Sequence, residues 1–373
     1  HPDASVVKTL TIRPAVGVSP LITNSVNANL FILNNARNII FDGRQGGTGT
    51  TRSVTVNTGA SSLNTFAFKN NAQNNTVQYF NINNASGSFS TFFFKGSTLA
   101  GTGNSNNTIT ENSISLTAAS APDCAIRSFG SPTAINQNNT ISNNLISGYE
   151  YTGIWIGASN TGWAVTGNRL FQPNVKIISS ANLLSGIRVD EGSAYNINNN
   201  TIGFANFSGV GFTSILANSI SLIGFPLSYS VSGISNNSRY RAIYCSFDVG
   251  GTVSSINGNT IGGIAFYTSS GATTQDGILC GISVTGGPAS ISNNIIGSTT
   301  GTNSIYAATT TSGGAIVGIY TNSSGTVAIQ NNTIAGINAS GTSNTKAGSI
   351  IAINAEGTAD YSITNNTIGN TLS

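Results

Sequence analysis

Asn138-Asn139-Thr140-Ile141 is one of four intact copies of a single phrase. The others are Asn199-Asn200-Thr201-Ile202, Asn331-Asn332-Thr333-Ile334 and Asn365-Asn366-Thr367-Ile368. Looser copies centre on Asn75, Asn107, Asn168, Asn259 and Asn294. With the second residue as marker, the copies fall at Asn75, Asn107, Asn139, Asn168, Asn200, Asn259, Asn294, Asn332 and Asn366, in steps of 32, 32, 29, 32, 59, 35, 38 and 34. A self-similar period of this size marks a repeat architecture. The step of 59 fits two turns, one of them lacking the phrase, or one turn with a large insertion.

Between markers the same grammar recurs. A strand such as Gly153-Ile154-Trp155-Ile156 or Gly277-Ile278-Leu279-Cys280 passes through a Gly/Ser/Thr/Asn turn. A second short strand then runs into the phrase, as at Ala289 to Ile296. No stretch carries a 3.6-residue apolar period. Short β-branched strands at even spacing, joined by Gly and Asn turns, predict an all-β solenoid. The period predicts about ten coils with three short strands in each. Residues 1–373 read as one domain, with 1–30 as an edge segment that includes a strand over Val6–Ile12 and 31–373 as coils. Asn tolerates the left-handed backbone of a sharp corner, and stacked Asn amides can bond along the stack. On that reading Asn200→Leu costs roughly 1–3 kcal/mol.

Charged residues make up 7% of the chain, against roughly 25% in typical globular proteins. The net charge of +3 forms no basic stripe, so nucleic acid has no footprint to bind. No apolar run is long enough for a membrane-spanning helix, and no cofactor or metal motif is present. The chain holds no methionine and is expected to be a processed or excised piece. Abundant Asn, Ser, Thr and Gly with little charge predict a secreted or surface protein. Cys245 and Cys280 each lie 11 residues before the apolar residue of the next strand. They are expected to stack in adjacent coils, as a disulfide or as two small core residues; Cys124 has no evident partner.

The phrases, together with Ile39-Ile40-Phe41-Asp42-Gly43-Arg44-Gln45-Gly46-Gly47-Thr48-Gly49, resemble the right-handed parallel β-helix repeats of the pectin-lyase-like superfamily. They are most similar to β-helix regions of large secreted surface proteins of Bacteroidota. The resemblance implies the β-helix fold and a surface location. Polysaccharide lyases and hydrolases on this fold use clustered Asp and Glu, often with Ca²⁺, plus Lys, Arg or His.

Three functional readings follow from the residues. The low charge and two open terminal rungs favour a structural, non-enzymatic protein that stacks head to tail on copies of itself into a filament or adhesin stalk. The alternative is a carbohydrate-active enzyme, with Arg188, Asp190 and Glu191 as the candidate catalytic cluster. A third is a glycan-binding module. Strand alternation places Arg127, Trp155, Arg188, Tyr244, Leu279, Tyr320 and Ile351 in an outward column. Of these, Arg127, Trp155, Arg188, Tyr244 and Tyr320 are the candidate partner or glycan contacts.

Overall fold

A computed structural model describes residues 8–86, 90–99, 101, 103–117, 124–178, 183–209, 213–217, 221–223, 228–230, 239–268, 275–298, 304–309, 315–341 and 350–369. It is a parallel β-helix. The chain divides into two compact units: His1–Leu170, Arg188–Asn200 and Gly251–Ser254 form the first, and Phe171–Ile187, Thr201–Gly250 and Ser255–Ser373 the second. Among the described residues the only helical segment is a 3-10 turn at Gln45–Gly47.

Unit 1 winds through three parallel ladders. The first includes Ile39–Asp42, Thr76–Gln78, Thr108–Thr110, Thr140–Ser142 and Ala164–Thr166. The second includes Leu21–Asn24, Val54–Thr58, Phe80–Asn84, Ser113–Leu116 and Leu145–Ser147. The third includes Phe31–Asn34, Phe66–Lys69, Phe92–Phe94, Cys124–Ser128 and Thr152–Ile156. Of the opening strand, Leu10–Ile12 is formed, while Val6 and Val7 lie outside the described residues.

Inside the coil, like stacks on like. Val77, Ile109, Ile141 and Val165 fill one inward column and are fully buried. Phe31, Phe66 and Phe92 stack at centroid spacings of 4.7 and 5.1 Å, and Phe68 lies on Phe94 at 4.3 Å. Phe66, Phe68, Phe92 and Phe94 are fully buried, and burying each such ring stabilises the fold by about 1.5–3 kcal/mol.

The corners divide two tasks between the paired asparagines. The first Asn of the phrase takes the left-handed backbone: φ is 57° at Asn74, 56° at Asn106, 55° at Asn138 and 57° at Asn199. Before Asn168 and Asn259, Gly167 and Gly258 do the same at 66° and 67°. The second Asn turns inward and ladders. Asn75 Nδ2 donates to Asn107 Oδ1 at 2.9 Å, and Asn107 Nδ2 to Asn139 Oδ1 at 3.0 Å.

The structure corrects the single Asn column. Asn139 and Asn168 belong to different corners. A second ladder runs Asn112, Asn144, Asn168 and Asn200, with amide bonds of 3.1, 3.0 and 3.0 Å. Thr140 pairs with Ala164, so Trp163 follows Asn139 on the first corner. The apparent step of 29 crosses from one corner to the other; the coil itself advances 24 residues, Asn144 to Asn168. The second-corner pattern recurs within unit 2, where Asn259, Asn294, Asn332 and Asn366 are joined by three bonds of 2.9 Å.

Unit 2 adds a fourth strand to its coils. Thr213–Ala217, Ile264–Thr268, Ile305–Thr309 and Ile337–Gly341 pair in parallel as a ladder of their own. Thr201–Gly203 pairs directly with Thr260–Gly262, so the step of 59 is one turn with a large insertion. Within that insertion Ser221–Ile223 and Ser228–Ser230 pair antiparallel.

Candidate functional site

In unit 1 the outward face of the third ladder gathers charge. Ile126 pairs with Ile154 inside the coil, which turns Arg127 and its register partner Trp155 outward. The amide of Asp190 donates to the Ile156 carbonyl at 3.0 Å and brings the Arg188–Glu191 turn beside Trp155. The Arg188 guanidinium lies 4.5 Å from the Trp155 ring centroid and that of Arg127 lies 4.7 Å from it. Arg127 also covers Phe129 at 4.7 Å, and Phe129 meets Trp155 edge-on at 5.1 Å.

Asp190 ties this stack together. Its Oδ2 accepts from Trp155 Nε1 and its Oδ1 from Arg188 Nε, both at 2.6 Å. Glu191 faces elsewhere: its Oε2 accepts from the Ser159 amide at 2.7 Å, and its carbonyl accepts from Tyr195 Oη at 2.8 Å. Arg188, Asp190 and Glu191 therefore do not form two free carboxylates across a cleft. Asp190 has both oxygens engaged and Glu191 seals a turn. The sequence cluster becomes a different one: Arg127, Trp155, Arg188 and Asp190, with Phe129 added.

The charge balance decides what this face can hold. Asp190 neutralises Arg188, whereas Arg127 makes no ion pair among the described residues, and its Nε is buried without an acceptor. Planar guanidinium groups fixed over aromatic rings offer donors matched to a carboxylate or sulfate. The indole is engaged by guanidinium groups and by its N–H bond, so it orients the arginines rather than offering a bare stacking platform.

A second carboxylate–guanidinium–aromatic group lies at a turn of unit 1. Asp42 accepts from the Arg44 amide at 3.0 Å and from Arg44 Nη2 at 2.8 Å, and Arg44 sits 4.4 Å over Tyr79. Burial alone would push the Asp42 carboxyl up, but the Arg44 hydrogen bonds and charge hold it below the usual range. Every contact here is internal, which marks a turn clamp.

In unit 2 the register corrects the outward column. Tyr244 pairs with Ser283, Ser283 with Tyr320, and Tyr320 with Asn354. Leu279 instead pairs with Tyr240 and Ile316 and is fully buried, and Ile351 pairs with Val317. Cys245 pairs with Val284, and Cys280 with Arg241, so the two cysteines do not stack, and all three cysteines are buried without a disulfide. The cause is turn length. Residues 248–253 separate Arg239–Phe247 from Ser254–Asn257, whereas only Gly287 and Pro288 separate Leu279–Gly286 from Ala289–Ser292.

Around Tyr320 lie residues the sequence did not single out. Tyr320 Oη donates to Glu356 Oε2 at 3.3 Å, and Asn354 Nδ2 donates to Glu356 Oε1 and to the Gln275 carbonyl, each at 3.2 Å. Asp276 Oδ2 accepts from the buried Arg241 Nε at 2.6 Å. Burial, and then the charges of Glu356 and Asp276, push the Tyr320 phenol up against an opposing hydrogen bond from Asn322. Burial pushes the Cys280 thiol up to about 12. Among the described residues no three His, Cys, Asp or Glu side chains gather to hold a metal ion.

No family model matches the chain, and no curated protein matches it. Solved structures do. A GH87 α-1,3-glucanase catalytic domain in complex with tetrasaccharides aligns over 97% of this chain and 62% of its own, with 11% identity and a TM-score of 0.38. A DFA-IIIase from Arthrobacter chlorophenolicus aligns over 90% and 65%, with 11% identity and a TM-score of 0.34. The catalytic unit of a thermostable GH87 α-1,3-glucanase from Streptomyces thermodiastaticus aligns over 92% and 63%, with 12% identity and a TM-score of 0.33. The chain thus spans under two thirds of the length of these proteins, and the likeness is one of fold.

These findings correct the expectation of a non-enzymatic structural filament. The solved chains that share the coil are catalytic glycoside hydrolase units. The outward face of unit 1 carries a focal charged cluster instead of a uniform ladder. Open terminal rungs belong to any stretch of coil taken alone and argue nothing about assembly.

Proposed function

We propose that this chain is a carbohydrate-active enzyme whose unit 1 face binds acidic polysaccharide through Arg127 and Arg188. The observation that carries this reading is the imbalance at Trp155: two guanidinium groups are stacked on one indole, and a single carboxylate answers them. The buried, acceptorless Nε of Arg127 supports it, because such a group gains most from an incoming carboxylate or sulfate oxygen. Asp190 acts as a positioning residue that fixes Trp155 and Arg188. A secreted or surface location, of the kind the bacterial resemblance implies, belongs to the same proposal.

The test uses polygalacturonate, alginate and chondroitin sulfate. Affinity electrophoresis measures binding, and released chain ends measure cleavage. Wild type should be retarded by at least one polymer and should shorten it. Arg127→Ala and Arg188→Ala should weaken retardation at least tenfold, roughly the 1.4 kcal/mol of one charge-assisted contact. Unsaturated ultraviolet-absorbing ends would mark elimination, and ordinary reducing ends hydrolysis. Neither retardation nor shortening with all three polymers sinks the proposal.

A further inference from the structure

Among the described residues, two buried serines of unit 2, Ser323 and Ser283, have an Oγ without a hydrogen-bond partner, and the register partner of Tyr320 is Ser283. Ser283 is fully buried. Such a hydroxyl is uncommon in a folded protein and needs a reason. Register places Ser283 between Tyr244 and Tyr320 on the outward face, since residues paired across parallel strands point to the same side. The hydroxyl therefore faces the same side as Tyr320, Asn354 and Glu356, rather than the coil interior.

The surroundings are rich in acceptors. Asp276 uses Oδ2 on Arg241, and Oδ1 has no partner among the described residues. The Glu356 carboxylate receives one bond each from Tyr320 and Asn354, both longer than 3.1 Å. Glu356, which makes no ion pair among the described residues, disfavours an anion, and the spare acceptor capacity of Glu356 and Asp276 matches the donor groups of a polyol. The Asn354 bond to the Gln275 carbonyl ties the turn that carries Asp276 to the Glu356 strand and covers this face.

We propose that Ser283, Tyr320, Asn354, Glu356 and Asp276 form a second carbohydrate site, in unit 2, selective for neutral sugars. Vicinal sugar hydroxyls donate to Glu356 and Asp276, and a third hydroxyl pairs with Ser283 Oγ once the Asn354–Gln275 bond opens. The site shares with the preceding proposal only the premise that the ligand is carbohydrate; its residues and its sugar charge differ.

The experiment titrates the full chain with cellohexaose, mannohexaose and xylohexaose by calorimetry, beside polygalacturonate as the acidic control. Wild type should bind at least one neutral hexasaccharide. Glu356→Gln should weaken that binding at least tenfold, and Ser283→Ala about fivefold. Neither should alter polygalacturonate binding, just as Arg127→Ala should leave neutral binding intact. Ser283→Ala removes an unpaired buried hydroxyl, so its thermal stability should equal or exceed that of wild type, which separates lost binding from lost folding. Absence of neutral-sugar binding, or equal binding by wild type and both variants, overturns this site and leaves the acidic-glycan reading standing.

Discussion

Replacing Asn144 with leucine tests the scaffold that carries the unit 1 face. In unit 1 the Asn144 amide is fully committed. Its Oδ1 accepts from Asn112 N at 3.0 Å and from Asn112 Nδ2 at 3.1 Å. Its Nδ2 donates to the Ile109 carbonyl at 2.9 Å and to Asn168 Oδ1 at 3.0 Å. Leucine keeps the volume, so no large cavity opens. It does strip the Asn112 backbone N–H of its acceptor inside a buried corner and removes one of two donors from Asn168 Oδ1. At about 1–3 kcal/mol per unsatisfied buried group the gross loss is about 2–6 kcal/mol. Leucine's own burial offsets part of it, leaving about 2–4 kcal/mol. The neighbour supplies the control. Asn143 has φ 54°, a left-handed value glycine adopts without strain. Asn143→Gly should therefore stay within about 1 kcal/mol of wild type. Urea unfolding followed by Trp155 and Trp163 fluorescence gives the stabilities, and amide exchange at Asn112 gives the local readout. Asn144→Leu should speed exchange at Asn112 far more than at Ile197. Equal stability of Asn144→Leu and wild type, or a larger loss in Asn143→Gly, would refute the division of labour between the two corner asparagines.

Other consequences are read in solution. Cys124, Cys245 and Cys280 should react with a thiol reagent at pH 8 only after unfolding, because all three are buried and none is bridged. The Cys280 thiol is held protonated up to about 12, so the stability it contributes is present below the ordinary thiol range and is lost as pH rises toward that value; Cys280→Ser should flatten this alkaline decline. Asp42 has the opposite sign. Its depressed folded pKa contributes stability that is present above about pH 4 and lost as pH falls through the folded value, so Asp42→Asn should be less stable at neutral pH and less acid-sensitive.

The coil was legible because stacking imposes one residue type per column. Ile141, Val165 and Ile197 repeat since each packs on its own kind one coil away. What misled was chemistry shared by two corners. An Asn that ladders after a left-handed residue looks the same on either corner, so Asn139 and Asn168 merged into one column. A coil step of 24 then passed for 29. Asn143-Asn144-Leu145-Ile146 carried the missing signal: a second Asn pair within one period, at the strand-to-strand spacing. The cysteines misled for a related reason. Counting from Ile256 and Ile291 assumes equal turns, and the longer turn at 248–253 shifts the register by four residues, from Cys280 to Val284. Arg188 and Asp190 were visible as a charged cluster, but their use was not. Nothing in sequence shows that Trp155 Nε1 takes the second carboxylate oxygen. Ser283 could not be found by composition at all, since its interest lies in a bond it does not make.

In a stacked coil, repetition serves folding and departures from it are free to serve function. Inward columns keep their chemistry because a change of type leaves a void or an unpaired amide in the next rung. The outward columns of the third ladder of unit 1 and of the Arg239–Phe247 ladder of unit 2 are under no such constraint. In unit 1 the column reads Phe93, Arg127, Trp155, and in unit 2 Tyr244, Ser283, Tyr320, Asn354. Aromatic stacking or β propensity alone would favour the same residue at each level, as in the Phe66–Phe92 column inside. The outside instead alternates ring, cation and hydroxyl. Turns that differ in length bring Asp190 to one of these faces and Asp276 to the other. Each carboxylate is answered by an arginine of its own unit, Arg188 or Arg241, so each is fixed in place before any ligand arrives. A face assembled only for stability would not fix a charge where it must be desolvated, since a buried or half-buried ion pair stabilises little. Fixed charge of this kind orients a polar ligand, and on the reading proposed above these two faces are where sugar should be sought.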